Sequence, residues 1–295
     1  MPSIPVVLHD RVDEPTLTRL AVPSTRSVIH VRKIRAVVRK FRQAPDQVRP
    51  LICFGRAKPM NLKAHEEVDA TDETFGAESK SWAVRIPCGE VMLSGDLEIP
   101  PNPVGLVFFA HGSGSSRFSR RNRAVAGVLR ASGIGTLLFD LLTEHEEAVD
   151  AYTAHLRFDI GLLTRRLVIV TEEMEDDPRL RGLGFGYFGS STGGAAALRA
   201  AAALGSKIKA VVSRGGRPDL AGDALHYVKA ATLLIVGERD EEVLRLNETA
   251  YEQLNCEKAV AVIPDATHLF EEPGALEEVS RLAAEWFAKH LKSQL

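Results

Sequence analysis

The sequence predicts an α/β fold in which a mostly parallel sheet of eight strands is covered by helices on both faces. Six short runs are apolar throughout, which is typical of parallel strands buried beneath helices. Stretches with helical periodicity separate these runs, and a hairpin precedes them. The buried strands are predicted at 104–110, 135–140, 183–188, 208–213, 231–236 and 259–264, and the helices at about 119–131, 157–175, 192–204, 242–254 and 274–291.

The hairpin supplies the first two strands. Residues 82–87 and 90–99 flank the turn formed by Cys88 and Gly89, and apolar side chains alternate along the second arm. That alternation gives the arm one buried face. Three prolines within 100–103 then end the pairing, so the remaining six strands are expected to pair in parallel.

The composition is that of a full-sized globular protein. The chain has 295 residues, of which 45% are hydrophobic and 26% charged, so a disordered protein is excluded. Its three cysteines lack paired spacing and predict neither a disulfide framework nor a zinc site. No apolar run approaches the roughly 18 residues of a membrane span, and Pro5 and Asp10 interrupt any secretory core. We therefore expect a cytoplasmic protein without a transmembrane segment.

Charge is distributed unevenly along the chain. Residues 1–65 carry 13 basic and 4 acidic side chains, whereas the remainder carries 24 and 35. This asymmetry predicts a basic N-terminal extension and polar linker over residues 1–79, disordered or partly helical, attached to an acidic globular domain over residues 80–295.

The extension contains one segment with helical periodicity. Apolar side chains recur at helical spacing in residues 27–43, surrounded by basic residues and without an acid. Such a helix could contact an acidic membrane surface, nucleic acid or a partner protein. A loosely attached extension is the favoured interpretation, so no nucleic-acid partner is expected. Met60 is an alternative candidate for the start of translation.

The stretch GYFGSSTGG, residues 186–194, runs from the end of a predicted strand into an alanine-rich helix. It contains the pattern G-x-S-x-G centred on Ser191, whereas centring on Ser190 would require glycines at Phe188 and Thr192. A serine on a tight strand-to-helix turn needs small neighbours, and the helix N-terminus favours negative charge beside it. Ser191 is therefore the candidate nucleophile.

A serine nucleophile needs a base and an acid, and in this architecture the chain order is serine, acid, histidine. Asp240 follows the strand 231–236 and His268 follows the strand 259–264. Of the nine histidines, only His268 lies downstream of an acid at a strand end. The order and the positions both favour Asp240 and His268 as partners of Ser191.

Other carboxylates crowd the same loops. Glu238, Glu241 and Glu242 flank Asp240, which is favoured because its distance past the strand lets a short carboxylate reach an imidazole nitrogen. Asp265 is expected to brace its own turn.

Donors for an oxyanion are expected in HGSGSSR, residues 111–117, which follow another strand. The backbone N–H groups of Ser113 and Thr192 are the predicted oxyanion hole, with Gly114 as a substitute for Ser113. A nucleotide-binding loop is the alternative. It is weakly supported, because Arg117 stands where a dinucleotide fingerprint requires glycine and no Gly-Lys-Ser/Thr follows.

The motifs HGSGSSR, GSSTGG, GERD and DATHLFEEPGALEEV together resemble the α/β-hydrolase superfamily, and most closely its dienelactone-hydrolase-like group. The resemblance covers about residues 80–295. It implies a sheet of eight strands with the first strands antiparallel, an acyl-enzyme mechanism, and no metal or organic cofactor. By position, the matching residues are Ser191 as nucleophile, Asp240 as acid, His268 as base, and Ser113 with Thr192 as oxyanion donors.

The resemblance has one departure. Dienelactone hydrolases proper carry cysteine where this chain has Ser191, which argues against dienelactone specificity. Similar domains also occur fused to phosphoribosyltransferases. Residues 1–79 lack an acidic loop followed by small residues that could hold a ribose phosphate, so that activity is expected to be absent.

Taken together, these features predict a serine hydrolase of carboxylesterase type that acts on a small-molecule acyl substrate. The segment 141–156 offers no long lid, which favours small or moderately polar acyl groups. Four arginines, Arg117, Arg120, Arg121 and Arg123, are expected to face solvent, although they could favour an anionic substrate. The alternatives are a non-catalytic binding protein on the same fold and a hydrolase tethered to a membrane or nucleic acid by the basic helix.

Overall fold

The structure, a computed structural model, describes residues 79–292 of the chain. The basic helix expected at 27–43 lies outside the described residues, as does nearly all of the predicted extension. The expected absence of a phosphoribosyl site in that extension also remains a prediction.

Within residues 79–292, eight strands form one sheet: β1 Lys80–Cys88, β2 Val91–Ile99, β3 Gly105–Ala110, β4 Gly135–Phe139, β5 Gly184–Ser190, β6 Ile208–Arg214, β7 Ala231–Gly237 and β8 Lys258–Ile263. Their order in the sheet is β1-β2-β4-β3-β5-β6-β7-β8. The pairs β1–β2 and β2–β4 are antiparallel, and all other neighbours are parallel. The predicted fold class is therefore confirmed.

In the described part of the chain, six α-helices surround the sheet. They are α1 Arg120–Ala131, α2 Glu144–Thr153, α3 Ile160–Glu175, α4 Thr192–Leu204, α5 Glu241–Gln253 and α6 Ala275–His290. Helices α1 and α6 pack together on one face of the sheet, and α3 and α4 pack together on the other. Five of the six occupy predicted positions. Helix α2 was not predicted, and it occupies much of the segment 141–156.

Alternate residues of the central strands pack into two separate hydrophobic cores, one on each face of the sheet. Phe108 and Tyr187 pack edge to face on the α4 side, whereas Phe109 and Phe188 pack on the α1 and α6 side. All four rings are essentially fully buried. Burying each stabilises the fold by roughly 1.5–3 kcal/mol relative to exposure. This two-sided burial holds β3 and β5 rigidly at the centre of the sheet, so their carboxyl ends are fixed in position.

Candidate active site

The turn between β5 and α4 places Ser191 in a strained backbone conformation. Its φ of 50° and ψ of −121° lie in a region that L-residues rarely adopt, at a cost of about 1–3 kcal/mol. Its glycine neighbours are sterically required. A Cβ at Gly189 would lie 2.6 Å from the carbonyl oxygen of Gly193, and one at Gly193 would lie 2.1 Å from that of Ala110. The crowding anticipated from the sequence is therefore present.

The adjacent serines have different environments. Ser190 is buried, and its hydroxyl donates a hydrogen bond to Oδ1 of Asn122 at 3.0 Å. Ser191 is partly exposed, and its hydroxyl makes no hydrogen bond to any other residue within 79–292. Only the second hydroxyl is thus free to meet a ligand.

Asp240 and His268 are in direct contact. Nδ1 of His268 lies 2.6 Å from Oδ2 of Asp240, although 28 residues separate them in the chain. The carboxylate is 15% exposed and the imidazole 39%, so the acid is shielded while the ring reaches solvent. An Asp carboxylate in this position fixes the imidazole tautomer with its proton on Nδ1 and leaves Nε2 as a base.

Two of the competing carboxylates, Glu238 and Asp265, link the loop that carries Asp240 to the loop that carries His268. Glu238 accepts a hydrogen bond from the backbone N–H of Asp265 at 2.9 Å, and Asp265 pairs with Arg239 at 2.5 Å. Asp265 is exposed and has a φ of 57°, but its carboxylate bonds to the loop after β7 and not to its own turn, where it was expected to act. Among the described residues, His268 therefore meets Asp240 and none of these neighbours.

Ser191 and His268 flank the same short segment at the end of β6. The backbone N–H of Ser191 donates to the carbonyl of Arg214 at 3.3 Å. The next residue is Gly215, where a Cβ would lie 3.5 Å from Cε1 of His268. The structure thus places both the serine and the imidazole near the backbone of Arg214 and Gly215, although no hydrogen bond joins the two side chains within residues 79–292.

Phe270 anchors the loop that carries His268. Its ring is 1% exposed and its φ is 55°, a strained value for a non-glycine residue. Its backbone N–H donates to the carbonyl of Thr267 at 3.2 Å, and its ring would contact a Cβ at Gly215 at 3.3 Å. The buried ring therefore fixes the loop two residues beyond the imidazole. The sequence motifs gave no indication of this role.

The loop after β3 lies against the serine. A Cβ at Gly112 would stand 3.2 Å from Cβ of Ser191, so the next residue, Ser113, is adjacent to the elbow. Thr192 begins α4, and a first-turn N–H has no acceptor within its helix. Across residues 79–292, the amides of Ser113 and Thr192 donate no hydrogen bond in any turn or loop. Both amides are therefore without an acceptor in this part of the chain.

His111 ties this loop to the neighbouring strand. Its Nε2 accepts a hydrogen bond from the backbone N–H of Leu141 at 2.9 Å, and its Nδ1 lies 3.0 Å from the carbonyl of Gly112. This pattern requires the neutral ring with the proton on Nδ1. Burial lowers the pKa of His111, which keeps the ring neutral. His111 precedes Ser191 in the chain and was not among the predicted site residues.

A cavity of about 320 Å³ opens beside the same loop. Arg157 projects into it from the connection between α2 and α3. Its Nε donates to Oδ2 of buried Asp150 at 2.5 Å, and its Nη1 faces Gly114, 3.5 Å from where a Cβ would stand. Arg157 and Asp150 were not predicted to belong to the site. The cavity is lined by His111, Gly112, Ser113, Gly114, Ser115, Ser116, Leu141, Leu142, Glu147, Asp150, Arg157 and Leu163.

The arginines after the loop mostly form ion pairs. Arg121 pairs with Glu271 at 3.0 Å. Arg117 is only 18% exposed and is held by the carboxylate of Asp140, which also accepts its backbone N–H at 2.7 Å. The expectation that these side chains face solvent is therefore wrong for Arg117.

Two further features can be stated for the described part of the chain. No group of three or more His, Cys, Asp or Glu side chains within 79–292 is arranged to hold a metal ion. Over the same residues, no helix has the length and apolar character needed to cross a membrane.

Comparison with known proteins links this geometry to characterised folds. No protein-family model matches the sequence. A solved structure of a dienelactone hydrolase from Anabaena variabilis is 56% identical, with 73% of this chain and 100% of that chain covered and a TM-score of 0.72. Est1E from Butyrivibrio proteoclasticus is 19% identical, with 70% and 98% covered and a TM-score of 0.59, which supports the fold alone.

Two curated relatives come from strains of Mycobacterium tuberculosis and are provisionally named phosphoribosyl transferases. Each is 51% identical over 225 residues, which make up 76% of this chain and 50% of the relative. The chain thus spans about half the length of the curated relatives it matches.

Proposed function

Because the chain belongs to the dienelactone-hydrolase-like α/β hydrolases, we propose that it is a serine hydrolase of carboxylesterase type. It cleaves a small carboxylic ester or a related acyl substrate through an acyl-enzyme intermediate. Ser191 is the nucleophile, His268 the general base and Asp240 the residue that orients it. The N–H groups of Ser113 and Thr192 form the oxyanion hole.

The observation that carries the proposal is the 2.6 Å contact between Nδ1 of His268 and Oδ2 of Asp240. It supports a ring with a basic Nε2 at the edge of the sheet where Ser191 has a free hydroxyl. The strained backbone of Ser191 adds support, because strain of this kind is retained where a function requires it.

In the first half of the reaction, Oγ of Ser191 forms a bond to the carbonyl carbon of the ester while Nε2 of His268 accepts the hydroxyl proton. The carbonyl oxygen becomes an oxyanion that accepts hydrogen bonds from Ser113 and Thr192. Asp240 stabilises the imidazolium. The tetrahedral intermediate then expels the alcohol, which takes the proton from Nε2, and an acyl-serine remains.

In the second half, a water molecule attacks the acyl carbon and gives a proton to Nε2 of His268. The second oxyanion uses the same two donors. Its collapse breaks the acyl bond to Ser191, and the serine oxygen recovers its proton from the imidazolium. One water is consumed, one carboxylic acid and one alcohol are released, and the enzyme is restored.

The nucleophile and the cavity both bear on the substrate. Dienelactone hydrolases proper use cysteine where this chain has Ser191, so a simple ester is favoured over a dienelactone. The cavity of about 320 Å³ beside Ser113 is at the small end of ligand pockets, and Glu147 and Arg157 make part of its wall polar. Small or moderately polar acyl groups fit this space better than long lipids.

Two assays of the full chain test the proposal. With a short p-nitrophenyl ester, the Ser191→Ala variant should lose nearly all turnover, and a fluorophosphonate probe should fail to label it. Ser190→Ala is the matched control, because it removes the neighbouring hydroxyl, which bonds to Asn122. This control should keep both turnover and labelling. Unchanged turnover in Ser191→Ala would contradict the proposal.

The same experiments separate the alternatives. A wild-type chain that is folded yet inert toward both the ester and the probe would favour a binding protein on this fold. Removing residues 1–59 tests the tethering role of the basic segment. Unchanged activity, solubility and partners after that deletion would dismiss it.

A further inference from the structure

Arg214, the last residue of β6, carries a guanidinium that is buried without a counter-ion. The residue is 7% exposed and lies on the α1 and α6 side of the sheet, like Val212 two positions before it. Its guanidinium lies 5.7 Å from the ring centroid of Phe270. The cation is thus enclosed beneath the loop that carries His268, on the opposite face of the sheet from α4.

Two of the three guanidinium nitrogens have no partner. Nε and Nη1 of Arg214 are both fully buried, and neither donates a hydrogen bond to any described residue. A polar pair lies on this face, formed by Ser190, which pairs with Arg214 in the sheet register, and Asn122. These two bond to each other at 3.0 Å. The surrounding protein therefore leaves the guanidinium donors unsatisfied.

The positive charge of Arg121 makes burial of the unpaired Arg214 guanidinium still less favourable. Burial and, to a smaller extent, the positive charge of Arg121 together lower the pKa of Arg214 to about 10, with no acid contributing an opposing effect. Arg121 is itself paired with Glu271 on the surface. At neutral pH, Arg214 nevertheless remains protonated. An unpaired buried charge is among the most costly features a fold can contain, so a counter-ion from solution would relieve it.

We propose that Arg214 is the centre of an anion-binding site for a small monovalent anion, held by the guanidinium beneath the His268 loop. Nε and Nη1 have almost no accessible surface, so the ion reaches the guanidinium at Nη2, and the 7% exposure of the residue favours a small ion such as a halide or a short carboxylate. A guanidinium meets such ions with paired N–H donors. Phe270 and the residues of β6 shield the contact from bulk water, which strengthens it.

The site is independent of the proposed hydrolysis. The acyl pocket lies beside Ser113, whereas Arg214 projects to the other core, behind the backbone carbonyl that accepts the N–H of Ser191. An inactive Ser191→Ala chain should therefore still bind the anion. Failure of the hydrolase proposal would leave this site standing, and the reverse also holds.

Thermal unfolding of the full chain is the first test, with bromide as the probe. The wild-type midpoint should rise and saturate as bromide replaces a bulky organic anion at constant ionic strength. Arg214→Met should abolish this rise. Arg245→Met, which removes an exposed arginine on α5, should respond as the wild type does. An equal rise in Arg214→Met and wild type would overturn the proposal.

Crystallography supplies a second readout that does not depend on the folding of any variant. Wild-type crystals soaked in bromide should show an anomalous peak within hydrogen-bonding distance of the Arg214 guanidinium, sharing at least one of its nitrogens. The same peak should be present in crystals of Ser191→Ala. A guanidinium that is surrounded by water alone at saturating bromide would overturn the proposal.

Discussion

Asp240 stands directly before helix α5, yet its carboxylate bonds to Nδ1 of His268 and caps no helix. An aspartate at a helix N-cap usually accepts a first-turn N–H, which stabilises the helix by about 1 kcal/mol. Here the side chain forgoes that bond. Its only hydrogen-bonded partner among the described residues is the imidazole, which is the arrangement that an orienting acid requires.

Replacing this acid tests whether the pair acts in catalysis. Asp240→Asn keeps the shape of the side chain but removes the charge, and its amide favours the imidazole tautomer with the proton on Nε2. We expect kcat to fall by about 10⁴-fold, with little change in the free energy of unfolding. Ester hydrolysis and urea unfolding of the same preparation would measure both quantities.

Glu242→Gln is the matched control, because it neutralises an exposed carboxylate in the first turn of α5. Its kcat should stay close to that of the wild type. A similar loss in both variants would mean that general electrostatics of this loop, and not the contact with His268, control the rate.

The fold could be predicted from the sequence because its strands are buried on both sides and its helices are amphipathic. Both patterns are local and read directly from hydrophobic periodicity. Helix α2 was not predicted, because its exposed face is acidic and only Asp150 within it is buried, so it has no apolar periodicity. Thr143 and Glu146 form a capping box at its start, and that four-residue signature was the available signal.

Part of the candidate site could be proposed from the sequence for a similar reason. Ser191, Asp240 and His268 each follow a strand, and the carboxyl ends of parallel strands share one edge of the sheet. The roles of Phe270 and Arg157 could not be predicted from the sequence, because they depend on which distant backbone each side chain contacts. Such long-range contacts leave no periodic trace in a single sequence.

Gly215 should be indispensable to the position of His268. The residue has a φ of 50°, and a Cβ there would lie 3.3 Å from both the carbonyl oxygen of His268 and the ring of Phe270. Gly215→Ala should therefore lower the free energy of unfolding by about 1–2 kcal/mol for the backbone alone, and should also reduce kcat by displacing the loop. Ester hydrolysis under conditions where the variant is fully folded measures the second effect.

Gly133→Ala separates strain from displacement. Gly133 also has a positive φ, at 77°, but a Cβ there would meet no atom within 4 Å. This variant should lose comparable stability and keep wild-type kcat. If Gly215→Ala also kept wild-type kcat, the proposed link between this glycine and the imidazole would be refuted.

Because of His111, we expect the free energy of unfolding to fall as the pH is lowered. Burial lowers the pKa of its ring below the 6.5 of an unperturbed histidine, so the unfolded chain binds this proton more readily than the folded one. The stability that the neutral ring contributes is complete above pH ~6.5 and declines as the pH falls toward the lowered value. Protonation would also remove the acceptor that holds the N–H of Leu141.

Urea unfolding between pH ~8 and pH ~5 measures this effect. His111→Gln retains an acceptor for Leu141 without a titrating group, so its stability should vary less with pH than that of the wild type. His145→Gln is the control, since His145 is exposed on α2. Equal pH dependence in wild type and His111→Gln would show that this ring is not responsible.

Because of Glu146, we expect a second loss of stability at lower pH. Partial burial raises the pKa of its carboxyl, but hydrogen bonds from Arg166 and Thr143 outweigh this effect and lower the pKa from 4.5 to about 2. The stability that the charged form contributes is therefore complete above pH ~4.5 and is lost as the pH falls through about 2.

The same contacts hold α2 over the cavity. Nη2 of Arg166, a buried residue of α3, donates to Oε1 of Glu146 at 2.6 Å, and its Nη1 also reaches the carbonyl of Leu141. Glu146→Gln should cost roughly 2 kcal/mol, because it leaves a buried guanidinium without its counter-charge. Glu144→Gln, an exposed change on the same helix, should cost little. Urea unfolding at neutral pH compares the two, and equal stability would argue against the Arg166 contact as the tie between α2 and α3.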